Sequence, residues 1–387
     1  RMVFECGPND GGGLCQCDEC RKLQTPDYIE YTSGGPCNTD AILKFANDLA
    51  EITSKKYPDK YLGFYIYSEY SRPPVKVTTV HPNVFPMVAP IRRCRLHGPG
   101  NPVCPTNMVL QDEIKVWAKM TDRLGFYPYN FNLADSLLPW TKIDVYRRYQ
   151  ATIRDLHIKL LAWTPESMGV EAIYGPHLYL SQRMVWNSQI DIDAEMDRFY
   201  HGLYGAAYVP MKRYWTRLDT AYANGDEHTG AQFGMHEVLT GDILKALRSD
   251  IEEAKQAARD DRERQAVVMA EVGLHSGELF IGIREAVCNL DFQTAKILHE
   301  QLREHVKANA ASGINGGYSW NYYNGQLGKV VENGFNTIGG GAKILVKLPD
   351  VWKFSKDEQA TGTEQGYFKP DFNDTGWQSL ATFSKTW

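Results

Sequence analysis

The sequence predicts an α/β fold: the C-terminal part of a (β/α)8 TIM barrel, followed by a helical bundle region and the start of a β-sandwich. Up to about residue 190, short apolar or aromatic runs alternate with longer amphipathic stretches, which is typical of βα units and a parallel sheet. From residue 191, Ala, Glu, Lys, Arg and Leu dominate at helical spacing, and strand-like runs return after residue 313. We therefore expect a partial barrel over 1–190, a helical region over 191–312, and a linker with a truncated β-sandwich over 313–387.

Five strands are predicted in the first part of the chain, with amphipathic helices between them. The strands are Val3–Gly7, Tyr61–Tyr67, Val84–Ala89, Gly125–Asn130 and Ile158–Trp163. The helices are Thr39–Tyr57, Met108–Met120 and Lys142–Leu156, and the stripe Ile42, Phe45, Ala46, Leu49 and Ile52 is predicted to be the buried face of the first. Because such a barrel has eight strands, we expect these to be strands 4 to 8. No Gly-rich phosphate loop follows a strand, which argues against an open doubly wound sheet.

Composition excludes several classes of protein. A net charge of −5 argues against binding to nucleic acid, because that binding depends on clustered positive charge. No run of eighteen or more apolar residues is present, so no membrane span is predicted. The sequence does not predict an oligomeric state.

Five of the eight cysteines lie within the first 37 residues. Cys15, Cys17 and Cys20, with Cys37 or Cys6 as a fourth ligand, would suit a structural zinc ion, while disulfides or free thiols fit the spacing equally well. No other cofactor is predicted. Cys94 and Cys104 flank a Gly/Pro loop and could form a disulfide, as in an exported protein. The ten histidines show no metal-binding spacing and are predicted to be structural.

Reactive groups of a (β/α)8 barrel lie at the carboxyl ends of its strands. Asp10, Glu69 and Glu166 follow three of the predicted strands and are the candidate catalytic carboxylates. Sugars stack on aromatic rings and accept hydrogen bonds from amides, so the candidate substrate-binding residues are Asn9, Tyr65, Tyr67, Tyr129, Asn130 and Trp163. Structural roles stay open: Asp10 as a turn residue beside glycines, Glu69 as a partner of Arg72, and the tyrosines as core packing.

Several motifs in register resemble the bacterial family labelled domain of unknown function 4838, which is associated with glycoside hydrolase family 163. The resemblance covers about residues 1–310, and its motifs are Gly7–Cys20, Tyr57–Ser68, Val80–Val84, Gly175–Leu180, Met184–Asn187, Phe199–Ala207 and Met211–Tyr214. It implies a (β/α)8 barrel, a secreted or periplasmic protein, and endo-β-N-acetylglucosaminidase activity assisted by the acetamido group of the substrate. Relatives carry Asp-Glu or Asn-Glu pairs where this chain has Asn9-Asp10. We expect Asp10 to be the acid/base and Asn9 to orient the acetamido group.

Three functions remain after this resemblance. The first is a glycoside hydrolase acting on glycans as an endo-β-N-acetylglucosaminidase with a retaining mechanism. The second is an exo-acting hexosaminidase or uronidase, in which Arg92 or Arg93 would hold a uronate. The third is a non-catalytic carbohydrate-binding protein, because a fold does not guarantee activity. Trp352–Asp357 and Phe372–Gln378 also resemble the start of the jelly-roll sugar-binding domains attached to many glycosidases.

Overall fold

Five parallel strands form one curled, half-barrel sheet in the computed structural model, which describes residues 3–10, 13–30, 34–166, 173, 175–230, 234–312, 314, 317–349, 351–357 and 359–381. The strands follow one another in chain order and are β1 (Val3–Glu5), β2 (Tyr61–Ile66), β3 (Val84–Val88), β4 (Arg123–Phe126) and β5 (Lys159–Trp163). All four neighbouring pairs are parallel. The predicted α/β class and the five predicted strands are confirmed, whereas closure into a barrel stays a prediction.

Helices α1 (Asp18–Leu23), α2 (Thr39–Thr53), α3 (Pro105–Met120) and α4 (Ile143–Asp155) lie between the strands along the chain. The predicted apolar face of α2 is wrong in part, because Phe45 and Ile52 are 55% and 68% exposed. The buried face instead contains Leu43, Ala46 and Ala50, spaced three and four residues apart. These small or slim side chains let α2 pack closely against β2 and β3, whereas Phe45 and Ile52 lie on a different side of the helix.

Side-chain alternation gives the sheet two chemically different faces. Phe64 of β2 packs on Trp117 of α3 with ring centroids 6.2 Å apart, and Phe126 of β4 packs on Tyr149 of α4 at 5.4 Å. Successive residues of a strand point to opposite faces. Tyr65 therefore projects from the other face, which we call the inner face, where it is only half-buried.

The described residues from 176 to 339 are mostly helical. The helices of eight or more residues are Pro176–Trp186, Ile192–Tyr204, Tyr208–Asn224, Gly241–Ala257, Asp261–Cys288, Phe292–Ala308 and Lys329–Gly339. In the described part of the chain, Asp261–Cys288 alone is long and apolar enough to pass a membrane-span test, but 61% of its most apolar window is buried within the protein. That burial is typical of the central helix of a bundle.

The last described segment contains the short antiparallel pair β6 (Val351–Phe354) and β7 (Gln378–Ala381). Between them, Tyr367, Phe372 and Trp377 pack their rings together with centroids 5.0–5.4 Å apart. Among the strand-like runs expected after residue 313, Lys343–Pro349 is exposed and belongs to no strand. The two strands are compatible with the start of a sandwich, and the sandwich and the three domain boundaries stay predictions.

The long helix Asp261–Cys288 contacts the loop that follows β4. The Ser276 hydroxyl donates to the Leu137 carbonyl at 2.7 Å. Tyr222 of helix Tyr208–Asn224 contacts the same loop, since its hydroxyl donates to the Pro139 carbonyl at 3.0 Å. Gly277 lies against the same loop, where a β-carbon would be 2.5 Å from Cδ of Pro139. A glycine at this position therefore lets the helix approach the loop closely.

We predict that Gly277→Ala lowers the free energy of unfolding by up to about 2 kcal/mol. Alanine improves helix propensity by about 1 kcal/mol, but overpacking against Pro139 costs about 1–3 kcal/mol. Gly202→Ala is the matched control, since a β-carbon there has no neighbour within 4 Å and the change should stabilise by about 0.5 kcal/mol. Urea unfolding of both variants measures this, and equal stabilisation by the two changes would contradict the close contact.

Candidate active site

The carboxyl ends of the five strands lie along one edge of the sheet, which we call the rim. Ile66 pairs with Val88, Val88 with Phe126, and Phe126 with Trp163, so the residues that follow these positions emerge side by side. The candidate carboxylates Asp10, Glu69 and Glu166 all follow strands at this edge. Gly11, Gly12 and Ser167 of the predicted loops lie outside the described residues.

Tyr67 links two of the candidate carboxylates. Its hydroxyl donates to Oδ1 of Asp10 across 3.4 Å. Burial raises the pKa of Tyr67, and the negative charges of Asp10 and Glu166 both add to that increase. Asp10, which follows β1, and Glu166, which follows β5, are therefore both within electrostatic range of Tyr67. Asn9 and Asp10 are both exposed, so a ligand can reach them from solvent.

Further tyrosines continue from Tyr67 along the inner face. Tyr65 and Tyr127 meet edge to face with centroids 5.2 Å apart, and Tyr127 meets Tyr129 in the same way at 5.5 Å. Burial, the charge of Glu166 and a hydrogen bond to that carboxylate raise the pKa of Tyr127 to about 12. The hydroxyl of Tyr127 therefore stays protonated at neutral pH and donates to Glu166.

Glu166 is aligned by the backbone as well as by Tyr127. Its carbonyl accepts from the Asn130 amide at 2.7 Å, and its own amide donates to the Pro128 carbonyl at 3.0 Å. Glu166 bridges to Tyr129 in parallel register, so its side chain lies on the inner face beside that ring. The carboxylate is half-buried. This pairing fixes the position of Glu166 more firmly than a free loop would.

Two buried basic side chains, Arg95 and Lys142, hold Tyr129 in place. The Arg95 guanidinium lies 4.7 Å from the Tyr129 ring centroid and donates to the Phe131 carbonyl at 2.5 Å. Lys142 Nζ donates to the Tyr129 carbonyl at 2.8 Å. Tyr129 is 5% exposed, so Arg95 and the neighbouring rings cover most of it. Tyr129 therefore offers a ligand little free surface.

Glu5 is an inner-face carboxylate that we did not identify from the sequence. It pairs in register with Gly63, which shares a face with Tyr65, and its charge helps to raise the pKa of Tyr65. Burial raises the pKa of Glu5 itself, while the Gly7 amide partly opposes that shift. The sequence analysis considered only residues that follow a strand. It therefore did not select Glu5, which lies within β1. Glu5 lies two residues before Gly7, so both residues face the same side of the sheet. This alternation could have identified Glu5 from the sequence.

Glu69 lies on a short 3-10 turn, Ser68–Tyr70, and is half-buried. Its backbone carbonyl accepts from the Asn38 amide at 3.0 Å. Its carboxylate makes no hydrogen bond to Asp10 or Glu166 in the described part of the chain. Arg72, the alternative partner considered for it, stacks over the Tyr28 ring at 3.7 Å and donates to the Ile29 carbonyl.

Glu30 anchors the segment that follows Glu69. The carboxylate is fully buried and accepts from the Ser71 amide and hydroxyl, both at 2.7 Å, and from the Arg72 amide at 2.9 Å. The Cys37 thiol donates to the same carboxylate at 3.0 Å. This set of bonds holds the chain beyond β2 in one conformation and thereby positions the turn that carries Glu69.

Asn130 and Trp163 lie on the helix-facing side of the sheet. Trp163 is 4% exposed, and its ring contacts Phe126, Tyr146 and Tyr149. Asn130 is fully buried and accepts a hydrogen bond from the Tyr146 hydroxyl. Each is next in sequence to a position whose side chain points to the inner face, so its own side chain points to the opposite, helix-facing side. The structure thus brings Asp10, Glu166, Tyr65, Tyr67 and Tyr129 together and leaves these two residues behind them.

The two arginines after β3 differ in their surroundings. Arg93 Nη2 forms an ion pair with Glu113 of α3 at 2.6 Å, and both side chains are 12% exposed. Arg92 is exposed, and its positive charge lowers the pKa of Tyr67, so it lies near the rim. Arg92 is therefore the cation that a ligand at the rim would meet.

Three of the four cysteines predicted to bind zinc come together. The sulfur atoms of Cys15, Cys17 and Cys20 lie within 4.8 Å of one another at the start of α1, and two of these residues are exposed. The Cys20 amide and the neighbouring thiols lower the pKa of Cys17 to about 7. Cys37 lies outside this group, because its buried thiol donates to Glu30. A fourth ligand for these three thiols is absent among the described residues.

A second group of side chains that could together hold a metal ion was not identified from the sequence. Cys94, His97, Cys104 and His228 place their ligand atoms within 4.8 Å of one another. The short spacing Cys94-x-x-His97 was an available signal. His228 could not be assigned to the group from spacing, because it is far from the other three along the chain. Cys94 and Cys104, considered for a disulfide, are free thiols in the structure.

The curled parallel half-barrel sheet, with carboxylates and tyrosines at its rim, belongs to the α/β class. The chain belongs to the family described as Domain of unknown function (DUF4838), whose model matches residues 1–216. This confirms the family inferred from the sequence motifs.

Among solved structures, the chain is similar to a protein described as a GH138 enzyme targeting pectin rhamnogalacturonan II. The identity is 10% and the TM-score 0.36, over 81% of this chain and 54% of that one. The chain thus spans about half the length of that structure. No curated protein matches the chain in sequence.

We predict that Lys142 makes stability rise between pH 7 and 9. Burial, with a smaller contribution from Arg95, lowers the pKa of Lys142 to about 7. In the unfolded chain this amine keeps its proton up to about pH 10.5, so the unfolded state binds more protons and loses stability relative to the folded state as pH rises. The expected gain is about 1.4 kcal/mol per pH unit, or roughly 2 kcal/mol over this window.

Urea unfolding at pH 7, 8 and 9 measures this gain, with Lys142→Met as the comparison. The rise should be absent in the variant, because methionine does not titrate. Lys119→Met, at the carboxyl-terminal end of α3, is the control and should keep the slope of the parent protein. Parallel curves for the parent protein and Lys142→Met would contradict the prediction.

Proposed function

We propose that this chain contributes the rim of a glycoside hydrolase active site that acts on glycans containing N-acetylglucosamine. The observation that carries the proposal is that Asp10 and Glu166 follow β1 and β5 at the rim and both act on Tyr67, whose hydroxyl donates to Asp10 and whose pKa is raised by both carboxylates. Glycosidic cleavage needs a proton donor and a negative group near the oxocarbenium-like carbon, and paired carboxylates supply both. The half-buried rings of Tyr65, Tyr67 and Tyr127 offer apolar surface next to them.

Asp10 is the proposed acid/base. In its acid form it donates a proton to the glycosidic oxygen while the bond from that oxygen to C1 breaks and the alcohol leaves. The acetamido oxygen of the substrate bonds to C1 in the same step and forms a cyclic oxazolinium. A water molecule then gives a proton to the Asp10 carboxylate while its oxygen bonds to C1, which opens the ring and restores the acid with retained configuration.

Asn9 and Glu166 have supporting roles in this mechanism. Asn9 is exposed beside Asp10, so its amide can hydrogen-bond the acetamido group and orient its oxygen toward C1. The Glu166 carboxylate is proposed to stabilise the positive charge that develops at C1 and on the acetamido nitrogen. Tyr127, which donates to Glu166, holds that carboxylate in place. Glu69 lies at the rim without a described partner and is proposed to bind a sugar hydroxyl.

The endo mode of cleavage and the secreted or periplasmic location are supported by the resemblance of Gly7–Cys20 and Tyr57–Ser68 to the glycoside hydrolase family 163 pattern. A second candidate is a uronidase. It is favoured by Arg92, which is exposed near Tyr67 and would pair with a uronate carboxylate at the rim. Reducing-end analysis of digested glycans separates endo from exo cleavage, and mass spectrometry of the released sugar separates N-acetylglucosamine from a uronic acid.

We predict that Asp10→Asn and Glu166→Gln each lower kcat by about 10²–10⁴-fold on any glycan that the protein cleaves, because each removes a charged or proton-donating group from the reacting carbon. Product release from a panel of N-glycans and uronate-containing oligosaccharides, quantified by mass spectrometry, measures the loss. Asp59→Asn is the matched control, since this exposed carboxylate lies before β2 at the opposite edge of the sheet. Its kcat should stay unchanged.

The assay also separates catalysis from binding. Full activity of Asp10→Asn would remove the proposed acid/base. Glycan binding by the unmodified protein with no product after long incubation would instead indicate a non-catalytic carbohydrate-binding protein.

A further inference from the structure

The loop after β3 and the loop after helix Tyr208–Asn224 bring together four metal-ligating side chains away from the proposed reaction. The first loop contributes Cys94, His97 and Cys104, which are 8%, 2% and 0% exposed. The second loop contributes His228, which is half-buried. One ligand atom from each of the four lies within 4.8 Å of the other three.

The distances suit a tetrahedral ion. Metal–ligand bonds of about 2.0–2.3 Å give a tetrahedron whose edges are about 3.3–3.8 Å. Cys94 Sγ and His97 Nδ1 are 3.3 Å apart, which matches one such edge. The ring centroids of His97 and His228 are 5.2 Å apart and their planes are tilted by 57°, so the two imidazoles do not stack on each other.

The hydrogen bond on the far side of His97 fixes its tautomer. Nε2 lies 3.0 Å from the Gly225 carbonyl oxygen, which can only accept, so Nε2 carries the proton. Nδ1 is then unprotonated, and its lone pair points toward Cys94 Sγ. A ligating histidine typically donates its second nitrogen to a carbonyl in this way. The Nδ1 atom of His228 is buried and has no hydrogen-bond partner among the described residues.

Hydrogen bonds hold the two loops in place around the four side chains. Asn107 Nδ2 donates to the carbonyls of Cys94 at 3.0 Å and of His97 at 2.5 Å. Asn101 Nδ2 donates to the Ala223 carbonyl at 3.0 Å and joins the two loops. The ligands are therefore positioned by buried backbone and amide contacts, as a built site requires.

We propose that Cys94, His97, Cys104 and His228 bind one zinc ion. Two thiolates and two imidazoles are the ligand set that zinc prefers in tetrahedral structural sites, and four protein ligands leave no open position for catalysis. A Cys94–Cys104 disulfide would use the sulfur atoms but would leave the Nδ1 lone pair of His97 buried without a partner, whereas a metal ion engages all four side chains.

The ion would clamp the β3 loop to the helical region, and through that loop it would act on the rim. Arg95 follows Cys94 directly, its amide donates to the Thr229 carbonyl at 2.7 Å, and its guanidinium covers the Tyr129 ring. Loss of the ion would loosen both loops and the Arg95–Tyr129 contact. This inference does not depend on the proposed glycosidase activity.

The test measures zinc in the purified protein after dialysis against metal-free buffer, by inductively coupled plasma mass spectrometry. His97→Ala and His228→Ala should each lower the zinc content by about one ion per chain, because each removes one of four ligands. Cys17→Ser is the matched control for the exposed thiol group near α1, and it should not lower the zinc bound at the Cys94 site. Zinc content that is unchanged in both histidine variants would overturn the proposal.

Two further measurements on the unmodified protein keep the test independent of whether the variants fold. Co²⁺ exchanged into the protein should give the visible absorption of a tetrahedral ion with two thiolate ligands, and a chelator should lower the melting temperature. Alkylation without a reductant, followed by peptide mass spectrometry, should label Cys94 and Cys104 as thiols once the chelator has removed the metal. A Cys94–Cys104 disulfide, or a protein that takes up neither zinc nor Co²⁺, would contradict the assignment.

Discussion

The alternation of side chains along parallel strands is the constraint on which the rest of this structure depends. Because β1 to β5 run in the same direction, with one register shift between β4 and β5 at Leu124–Gly125, one set of residues packs on the helices and the other lies on the inner face. Phe64 and Phe126 belong to the first set, whereas Tyr65 and Tyr127 belong to the second. A shift of one residue in any strand would exchange the core with the candidate site.

The same constraint explains which parts of the site could be predicted from the sequence. The strand ends were predictable from apolar runs, so Asp10 and Glu166 were found as residues that follow strands. Asn130 and Trp163 were selected only because they lie near strand ends. The alternation of side chains along each strand points them to the helix-facing side, where they are buried in the core. Glu5 has the right phase and was missed because it lies inside β1. The exposed Phe45 and Ile52 show that an apolar stripe does not identify which side of a helix will be covered.

Contacts between distant segments were beyond the reach of sequence patterns. Glu30 is one case, since its carboxylate satisfies backbone amides of Ser71 and Arg72 that no spacing rule connects to it. His228 is another, because only the folded chain brings it to Cys94 and His97. In both cases the polar side chain meets residues that are distant in the sequence, and tertiary structure alone decides which of them are within reach.

Charge is distributed unequally across the site. Acidic groups, including Glu5, Asp10 and Glu166, lie on or beside the inner face, whereas the cations Arg95 and Lys142 are buried behind Tyr129. Arg95 and Lys142 hold Tyr129 in place through its ring and its carbonyl. The proposed zinc site lies next to Arg95. Bound zinc would hold the loop after β3 rigidly and would thereby connect that loop, through Arg95 and Tyr129, to the rim.

A crystal structure of the Asp10→Asn variant with a bound N-acetylglucosamine-containing oligosaccharide tests the central claim most directly. If the inner face is the glycan site, the sugar will lie against the rings of Tyr67 and Tyr127, within hydrogen-bond distance of residue 10 and Glu166. Sugar density on the helix-facing side of the sheet, or at sites remote from the rim with the inner face empty, would contradict it.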